Sequence, residues 1–193
     1  MSNNPTGKVI VIVAPSGAGK TTLAQRLLND FSDIKFSVSA TTRPPREDEI
    51  HGEDYYFLSD EEFDQKIKND EFLEWESYSG NRYGTLQSEV DKLVETGYFP
   101  LLDIEVRGAL NVAQMYNSNA VSIFIEPPSM DVLAQRLSGR GSETDDSLTK
   151  RLKRAEKEMQ YADRFDHIVI NDDLDTAYSK IASIVEPYIT EKS

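Results

Sequence analysis

One stretch, Ala14-Pro15-Ser16-Gly17-Ala18-Gly19-Lys20-Thr21, restricts what this chain can become more than any other. The residues before it, Val9-Ile10-Val11-Ile12-Val13, are apolar and β-branched without alternation, as in a strand buried on both faces of a parallel sheet. Leu23, Ala24, Leu27 and Leu28 follow at helical spacing, with Gln25, Arg26 and Asn29 on the other side. Buried strand, glycine-rich turn and helix, in that order, form the context of a phosphate-binding loop. Gly17 and Gly19 let the main chain approach an anion closely, and the loop N–H groups converge at the positive end of the helix. Lys20 is then expected to reach the β- and γ-phosphates of a nucleoside triphosphate, and the Thr21 hydroxyl to ligate Mg²⁺. Ala14 stands where this loop pattern usually begins with glycine.

At 193 residues the chain is expected to form one domain with a substantial core. Its formal net charge of −13 argues against a nucleic-acid or anionic-membrane surface, so an anionic substrate needs a local cluster of arginines. Cysteine is absent, which excludes disulfides, a thiol nucleophile and cysteine zinc sites. The two histidines, His51 and His167, cannot build a histidine metal cluster, and both read as residues without a catalytic role. Neither a signal peptide nor a membrane-spanning stretch is visible, so the cytoplasm is the expected compartment.

Residues 34–39 read as a second strand, leading into Ser39-Ala40-Thr41-Thr42-Arg43-Pro44-Pro45-Arg46. The prolines hold this segment extended. At about three residues per turn, Arg43 and Arg46 then project from the same side. Two guanidinium forks so placed suit a phosphate dianion. Residues 47–97 turn acidic and tyrosine-rich, which suggests a small mixed insertion. Within it, residues 55–58 read as a strand, and Ser59-x-x-Glu62 is a capping box opening a helix through about Lys68. Residues 71–79 read as a strand with Leu73 and Trp75 on one face and Glu74 and Glu76 on the other. Ser79-Gly80-Asn81 is a turn, and Tyr83-Gly84-Thr85 leads into a helix over residues 86–95.

Residues 99–104 form another buried strand, and Asp103 near its end fits a carboxylate beside Mg²⁺ at a strand's C-terminal edge. A helix from about Val106 takes Leu110, Val112 and Ala113 as core positions. Residues 121–125 are a further strand, closed by Pro127-Pro128, and Ser129 caps a helix through about Leu137. From Arg136 and Arg140 the chain runs through a polar stretch into a charged helix with Lys150, Arg151, Lys153 and Arg154. That second basic cluster reads as a flap over a transferring phosphate. Only Arg136, Arg140 and Arg151 are set apart from ordinary surface ion pairs. Residues 167–171 are a fifth core strand, and residues 174–189 a closing amphipathic helix.

Strands alternating with helices give an α/β fold with ligands at the strands' C-terminal edge. The two phosphate-binding sets share one explanation, two phosphorylated substrates placed face to face for phosphoryl transfer between nucleotides. The absence of an evident general base agrees with this, because a phosphate monoester is largely a dianion at neutral pH and already a nucleophile. Positioning and charge neutralisation remain as the protein's task.

Over residues 8–189 the chain resembles the guanylate kinases. The marks are the phosphate loop, Ser39-x-Thr41-Thr42-Arg43-x-Pro45-Arg46, Gly52-x-Asp54-Tyr55-x-Phe57 and Glu71-Phe72-Leu73-Glu74-Trp75. Tyr83-Gly84-Thr85, Arg140-Gly141-Ser142-Glu143-Thr144 and Asn171-Asp172-Asp173 complete the set. The resemblance implies a P-loop NTPase-type core with a five-stranded parallel sheet flanked by helices (residues 7–38 and 98–193). It adds a small mixed α+β GMP-binding insertion (39–97) and a helical lid (about 138–160), all within one domain spanning residues 1–193. It implies ATP and GMP as substrates, with Mg²⁺ accompanying ATP. ATP would be held by Ala14, Pro15, Ser16, Gly17, Ala18, Gly19, Lys20, Thr21 and Thr22, with Arg136, Arg140 and Asn171. Arg43, Arg46, Tyr55 and Tyr83 would hold the GMP phosphate. Ser39, Glu74 and Thr85 would contact guanine, with Glu105 as a further contact. Lys20, Arg43, Arg140 and Arg151 are implied in catalysis, and Thr21 and Asp103 at the metal. Glu74 fits chemically, because guanine presents N–H donors at N1 and N2 that one carboxylate can accept together; alternation alone does not separate it from Glu76. Glu105, Ala40 and Arg107 stand where many members have aspartate, serine and glutamine. The rival readings are a non-catalytic guanylate-kinase-like module that binds phosphopeptides, a kinase for another nucleoside monophosphate, and bare triphosphate hydrolysis. Oligomeric state is not legible.

Overall fold

Strand β1 (Val9–Val13) is the axis of the molecule, with every residue at most 1 % exposed. The computed structural model describes residues 7–139 and 145–190. After β1 come α1 (Lys20–Asp30), β2 (Ile34–Phe36), β3 (Ala40–Thr41), β4 (Tyr56–Phe57) and α2 (Asp60–Lys68). Then follow β5 (Phe72–Tyr78), β6 (Asn81–Leu86), α3 (Gln87–Glu95), β7 (Phe99–Asp103) and α4 (Val106–Tyr116). The chain closes with β8 (Ala120–Glu126), α5 (Met130–Ser138), α6 (Asp145–Met159), β9 (His167–Ile170) and α7 (Leu174–Thr190).

The main sheet has five parallel strands in the order β2-β7-β1-β8-β9, so β1 sits at its centre between β7 and β8. Alternation along β1 sends Ile10 and Ile12 to one face, where Leu23 and Leu27 of α1 and Ile181 and Val185 of α7 cover them. Val9, Val11 and Val13 go to the other face, against Ala109 and Val112 of α4. Each such side chain contributes roughly 1.5–3 kcal/mol by leaving water, and strands covered on both faces show the unbroken apolar runs seen in the sequence. On α4 the buried stripe is Val106, Gly108, Ala109, Val112 and Tyr116, while Leu110 is only partly covered.

The region 39–97 builds a second, mixed sheet in the order β4-β3-β6-β5, with β3 and β4 parallel and the other pairs antiparallel. Phe63 of α2 is fully buried beneath it with Ala40 and Leu86, and Phe72 stacks on it at 4.4 Å. The expected capping box is present: Glu62 N donates to Ser59 Oγ at 3.1 Å and Ser59 N donates to the Glu62 carboxylate at 2.7 Å. Leu73 and Val90 are buried in the same cluster as β1 and α4, and key this sheet to the main one.

Three local expectations change. The strand expected over 34–39 ends at Phe36, and the chain re-enters extended structure as β3 of the other sheet. Tyr83-Gly84-Thr85 lies inside β6, a hairpin partner of β5, and the helix starts only at Gln87. Leu73 and Trp75 do not share a face. Phe72 pairs with Leu86 but Glu74 pairs with Thr85, so Leu73 is an extra residue in a bulge. The bulge turns Leu73 toward α4 with Glu74, whereas Trp75 turns with Phe72 toward Phe63. Among the described residues no helix is long and apolar enough to cross a membrane.

Phe63→Ala should cost about 3–5 kcal/mol of local stability. In hydrogen exchange, amides of β3, β5 and β6 should then lose protection while those of β1, β7 and β8 keep it; equal loss in both sheets would show one undivided cooperative unit.

Candidate functional site

The parallel register places Ile12 of β1 beside Asp103 of β7, so the loop leaving β1 emerges next to that carboxylate. The loop turns through Gly17 and Gly19 at φ +91° and +97°, in the left-handed region that glycine tolerates. Side chains there are also sterically barred: a Cβ at residue 17 would lie 2.7 Å from Leu137 Cδ2, and one at residue 19 would collide with the Asn171 amide. Gly19 precedes Lys20 as a cap without a side-chain hydrogen bond, and the first turn of α1 carries no acid. The exposed N–H groups of that helix end therefore face outward, suited to an anion. Ala14, in the place of the usual first glycine, is buried in the core cluster beneath the loop.

Two clefts open beside the loop. One, about 290 Å³, is bounded by the loop itself with Arg151 and Arg154 of α6. The other, about 650 Å³, runs under the second sheet and is lined by Ser39, Tyr55, Glu74, Tyr83 and Asp103 among others. Lys20, Thr21, Tyr78 and Glu105 line both, so the clefts meet at the loop lysine. The Lys20 ammonium is ion-paired with Asp103 at that junction. Thr21 and Asp103 offer a hydroxyl and a carboxylate oxygen on the same wall. Among the described residues no three His, Cys, Asp or Glu side chains gather as a metal cage. A cation held here would have to draw most of its ligands from phosphate and water, a donor set that suits Mg²⁺.

Arg43 donates to Glu49 at 2.7 Å and to the Pro44 carbonyl at 2.9 Å, and its guanidinium lies 5.4 Å from the centre of the Tyr55 ring. Tyr55 in turn meets Tyr83 edge-on at 6.2 Å. The hydrogen bond from Arg43, with one from the Arg46 main-chain N–H, holds the Glu49 carboxyl below the usual carboxylate range. Arg43, Tyr55 and Tyr83 are thus brought together. Neither the Arg43 nor the Arg46 side chain lines a cleft, and it is by its backbone that Glu49 fastens Arg46. Glu49 was not singled out from sequence; its place three residues after Arg46 in an acidic run is the only local signal.

Deep in the larger cleft the Glu74 carboxylate accepts from the Thr85 hydroxyl at 2.8 Å, and Thr85 itself is 1 % exposed. Thr85 spends its only hydroxyl proton on Glu74. Burial pushes the Glu74 carboxyl up to about 7; the Thr85 hydrogen bond opposes the rise, and the charges of Glu76 and Glu105 add to it. Glu105 stands at the N-terminal cap of α4 and accepts from Arg154 at 2.6 Å. Arg154 also donates to Glu158 at 2.6 Å and lies 4.7 Å over the Tyr78 ring. In the sequence Arg154 reads as one of the ordinary surface charges, yet it lines the smaller cleft. Its (i, i+4) spacing from Glu158 signals only the local pair, and the Glu105 and Tyr78 contacts come from distant chain.

Arg151 donates to the Ser16 hydroxyl of the loop at 2.5 Å. Arg136 and Asn171 line neither cleft and stand behind the loop. Asn171 donates to the Ala18 carbonyl at 2.7 Å, and Arg136 donates to the Asn171 carbonyl at 2.9 Å. Arg140 lies outside the described residues, as does part of the expected lid.

Residues 6–188 match the family model for guanylate kinase. A guanylate kinase of Chlorobium chlorochromatii is 47 % identical over 98 % of this chain and all of its own length. One of Salinibacter ruber is 48 % identical over 96 % of this chain and 99 % of its own. The crystal structure of guanylate kinase from Anaplasma phagocytophilum aligns with a TM-score of 0.75 at 32 % identity, covering 96 % of this chain and 88 % of that one.

The raised Glu74 pKa has a measurable consequence. The fold binds the proton more tightly than the unfolded chain does, so the stabilisation is complete below the ordinary carboxyl value of 4.5 and is lost as pH rises through about 7. Glu74→Gln has no proton to lose. In urea titrations it should gain on the native protein between about pH 5 and about pH 8, approaching about 3 kcal/mol; a pH-independent difference would mean that Glu74 ionises as an ordinary carboxylate.

Proposed function

The chain belongs to the guanylate kinase family and transfers a phosphoryl group from ATP to GMP, giving ADP and GDP; from that premise we propose how its residues divide the work. ATP lies in the smaller cleft with its phosphates on the loop N–H groups, and GMP lies in the larger one. The observation that carries this division is the meeting of the two clefts at Lys20. Lys20 neutralises the transferring phosphoryl group from the floor of that junction, and Arg151, joined to Ser16, does so from α6.

On the GMP side Arg43 and Arg46, with the Tyr55 and Tyr83 hydroxyls, grip the phosphate. Glu49 presets this grip by holding Arg43 and the Arg46 backbone before any ligand arrives. Glu74 accepts from guanine N1–H and the 2-amino group, flanked by Ser39 and Glu105, while Thr85 holds the Glu74 carboxylate in place. An adenine ring offers no such donor pair, and leaving Glu74 buried and unpaired penalises it.

An oxygen of the GMP phosphate dianion attacks the γ-phosphorus of ATP. The bond from that phosphorus to the ADP β-phosphate oxygen breaks as the new P–O bond forms, and no proton need be removed. Thr21 and Asp103 are the residues that would hold Mg²⁺ entering with ATP, and the ion would there supply charge neutralisation for the transfer. Asn171 and Arg136 keep the loop in shape from behind.

A coupled assay with MgATP across GMP, dGMP, AMP, CMP, UMP and dTMP tests the assignment: turnover is expected with the guanine nucleotides and not with the others. Lys20→Ala should lower kcat by about 100- to 1000-fold with the fold intact by circular dichroism; unchanged kcat would remove Lys20 from the chemistry. Arg43→Ala should raise KM for GMP about tenfold or more while KM for ATP stays within about twofold. Equal harm to both would move Arg43 out of the GMP site.

A further inference from the structure

Helix α4 carries a glycine in its interior, at Gly108, although glycine is a poor helix former and this stretch is otherwise well suited to a helix. It is buried, and its φ is not in the left-handed region, so backbone conformation does not explain it. The space beside it does. A Cβ at residue 108 would lie 2.8 Å from both Cγ and Cδ of Glu74 and collide with Glu74 Oε2. The Glu74 carboxylate is laid directly against the bare backbone of α4.

Both backbones are themselves closely packed. On the far side of β5, Gly84 faces Trp75 across the hairpin, and a Cβ there would lie 2.9 Å from both the Glu74 carbonyl oxygen and Trp75 Cβ. Behind Gly108, Ala109 and Val112 of α4 are fully buried against β1. The Glu74 side chain is therefore the part that must yield to any added atom. Its yielding means losing the Thr85 hydroxyl and swinging into the cleft.

We infer, on the reading of Glu74 as the guanine acceptor, that Gly108 is a positioning residue for base recognition. Its missing side chain forms the seat that aims the Glu74 carboxylate at the guanine edge. Gly108 touches no substrate and acts only through Glu74. A Gly108→Ala protein is expected to separate two properties that a purely structural defect would lose together. Alanine favours the helix, so thermal stability should hold or rise, whereas the recognition carboxylate is displaced.

The test compares the native protein with Gly108→Ala, Glu74→Gln, Glu74→Ala and the double variant Gly108→Ala, Glu74→Ala, using GMP and inosine 5′-monophosphate, which lacks only the 2-amino group. For Gly108→Ala, KM for GMP should rise about tenfold and the preference for GMP over inosine monophosphate should fall by a similar factor. KM for ATP should stay within about twofold. Alanine at 74 has neither Cγ nor Cδ to meet the added methyl, so in the Glu74→Ala background Gly108→Ala should change KM for GMP by less than about twofold. Gly108→Ala that is folded and keeps both KM for GMP and base preference would overturn the role of Gly108, given an impaired Glu74→Gln. Loss of ATP and GMP affinity together, or a full further loss of GMP affinity from Gly108→Ala in the Glu74→Ala background, would overturn it equally. Undiminished base preference in Glu74→Gln would instead overturn the reading of Glu74 itself.

Discussion

The parallel pairing of β1 with both β7 and β8 is the constraint from which the site follows. Because the strands run the same way, their C-terminal ends open on one edge, and the phosphate loop and Asp103 emerge side by side. Burying β1 on both faces fixes that edge in place, since a slip of one residue would exchange its two apolar faces and disturb both helix layers. Lys20 can then sit on the Asp103 carboxylate at the point where the two clefts join. Phosphoryl transfer asks for this geometry more than for any single reactive group, because the nucleophile arrives already charged.

Around the junction, charged side chains are held ready by other side chains. Glu49 fastens Arg43 and the backbone at Arg46, Ser16 receives Arg151, and Glu105 and Glu158 receive Arg154. In a protein of net charge −13 these arginines work against an unfavourable overall field. Local partners hold them in place, which, on the proposed role in gripping phosphate, reduces the ordering left to be done on binding. Arg154 is the widest-reaching of them, meeting the cap of α4, its own helix and the Tyr78 ring of the second sheet.

Recognition at the base is built from packing. The β5 bulge rotates Leu73 into the core beside Glu74 and sends Trp75 to Phe63, while Thr85 and the bare backbone at Gly108 hold the carboxylate from two sides. The cost is visible in the raised pKa of Glu74, a carboxylate kept from water and, on the proposed role in base recognition, repaid by an incoming pair of N–H donors.

Unaided, the sequence settled the features that depend on neighbours along the chain. Val9-Ile10-Val11-Ile12-Val13 followed by the glycine loop declared a buried parallel strand leading through a turn into a helix. Ser59 and Glu62 declared a helix start, and both appear as expected. Tertiary structure alone decided whatever depends on contacts between distant segments: the bulge that breaks the alternation of β5, the β6 pairing hidden in Tyr83-Gly84-Thr85, and the placing of Asn171 behind the loop. It also drew Arg154 to Glu105 and set Glu74 against Gly108. Periodicity reports which face of an element is apolar. It is silent on which remote backbone lies close enough to exclude a methyl group, and that distance is what aims the carboxylate.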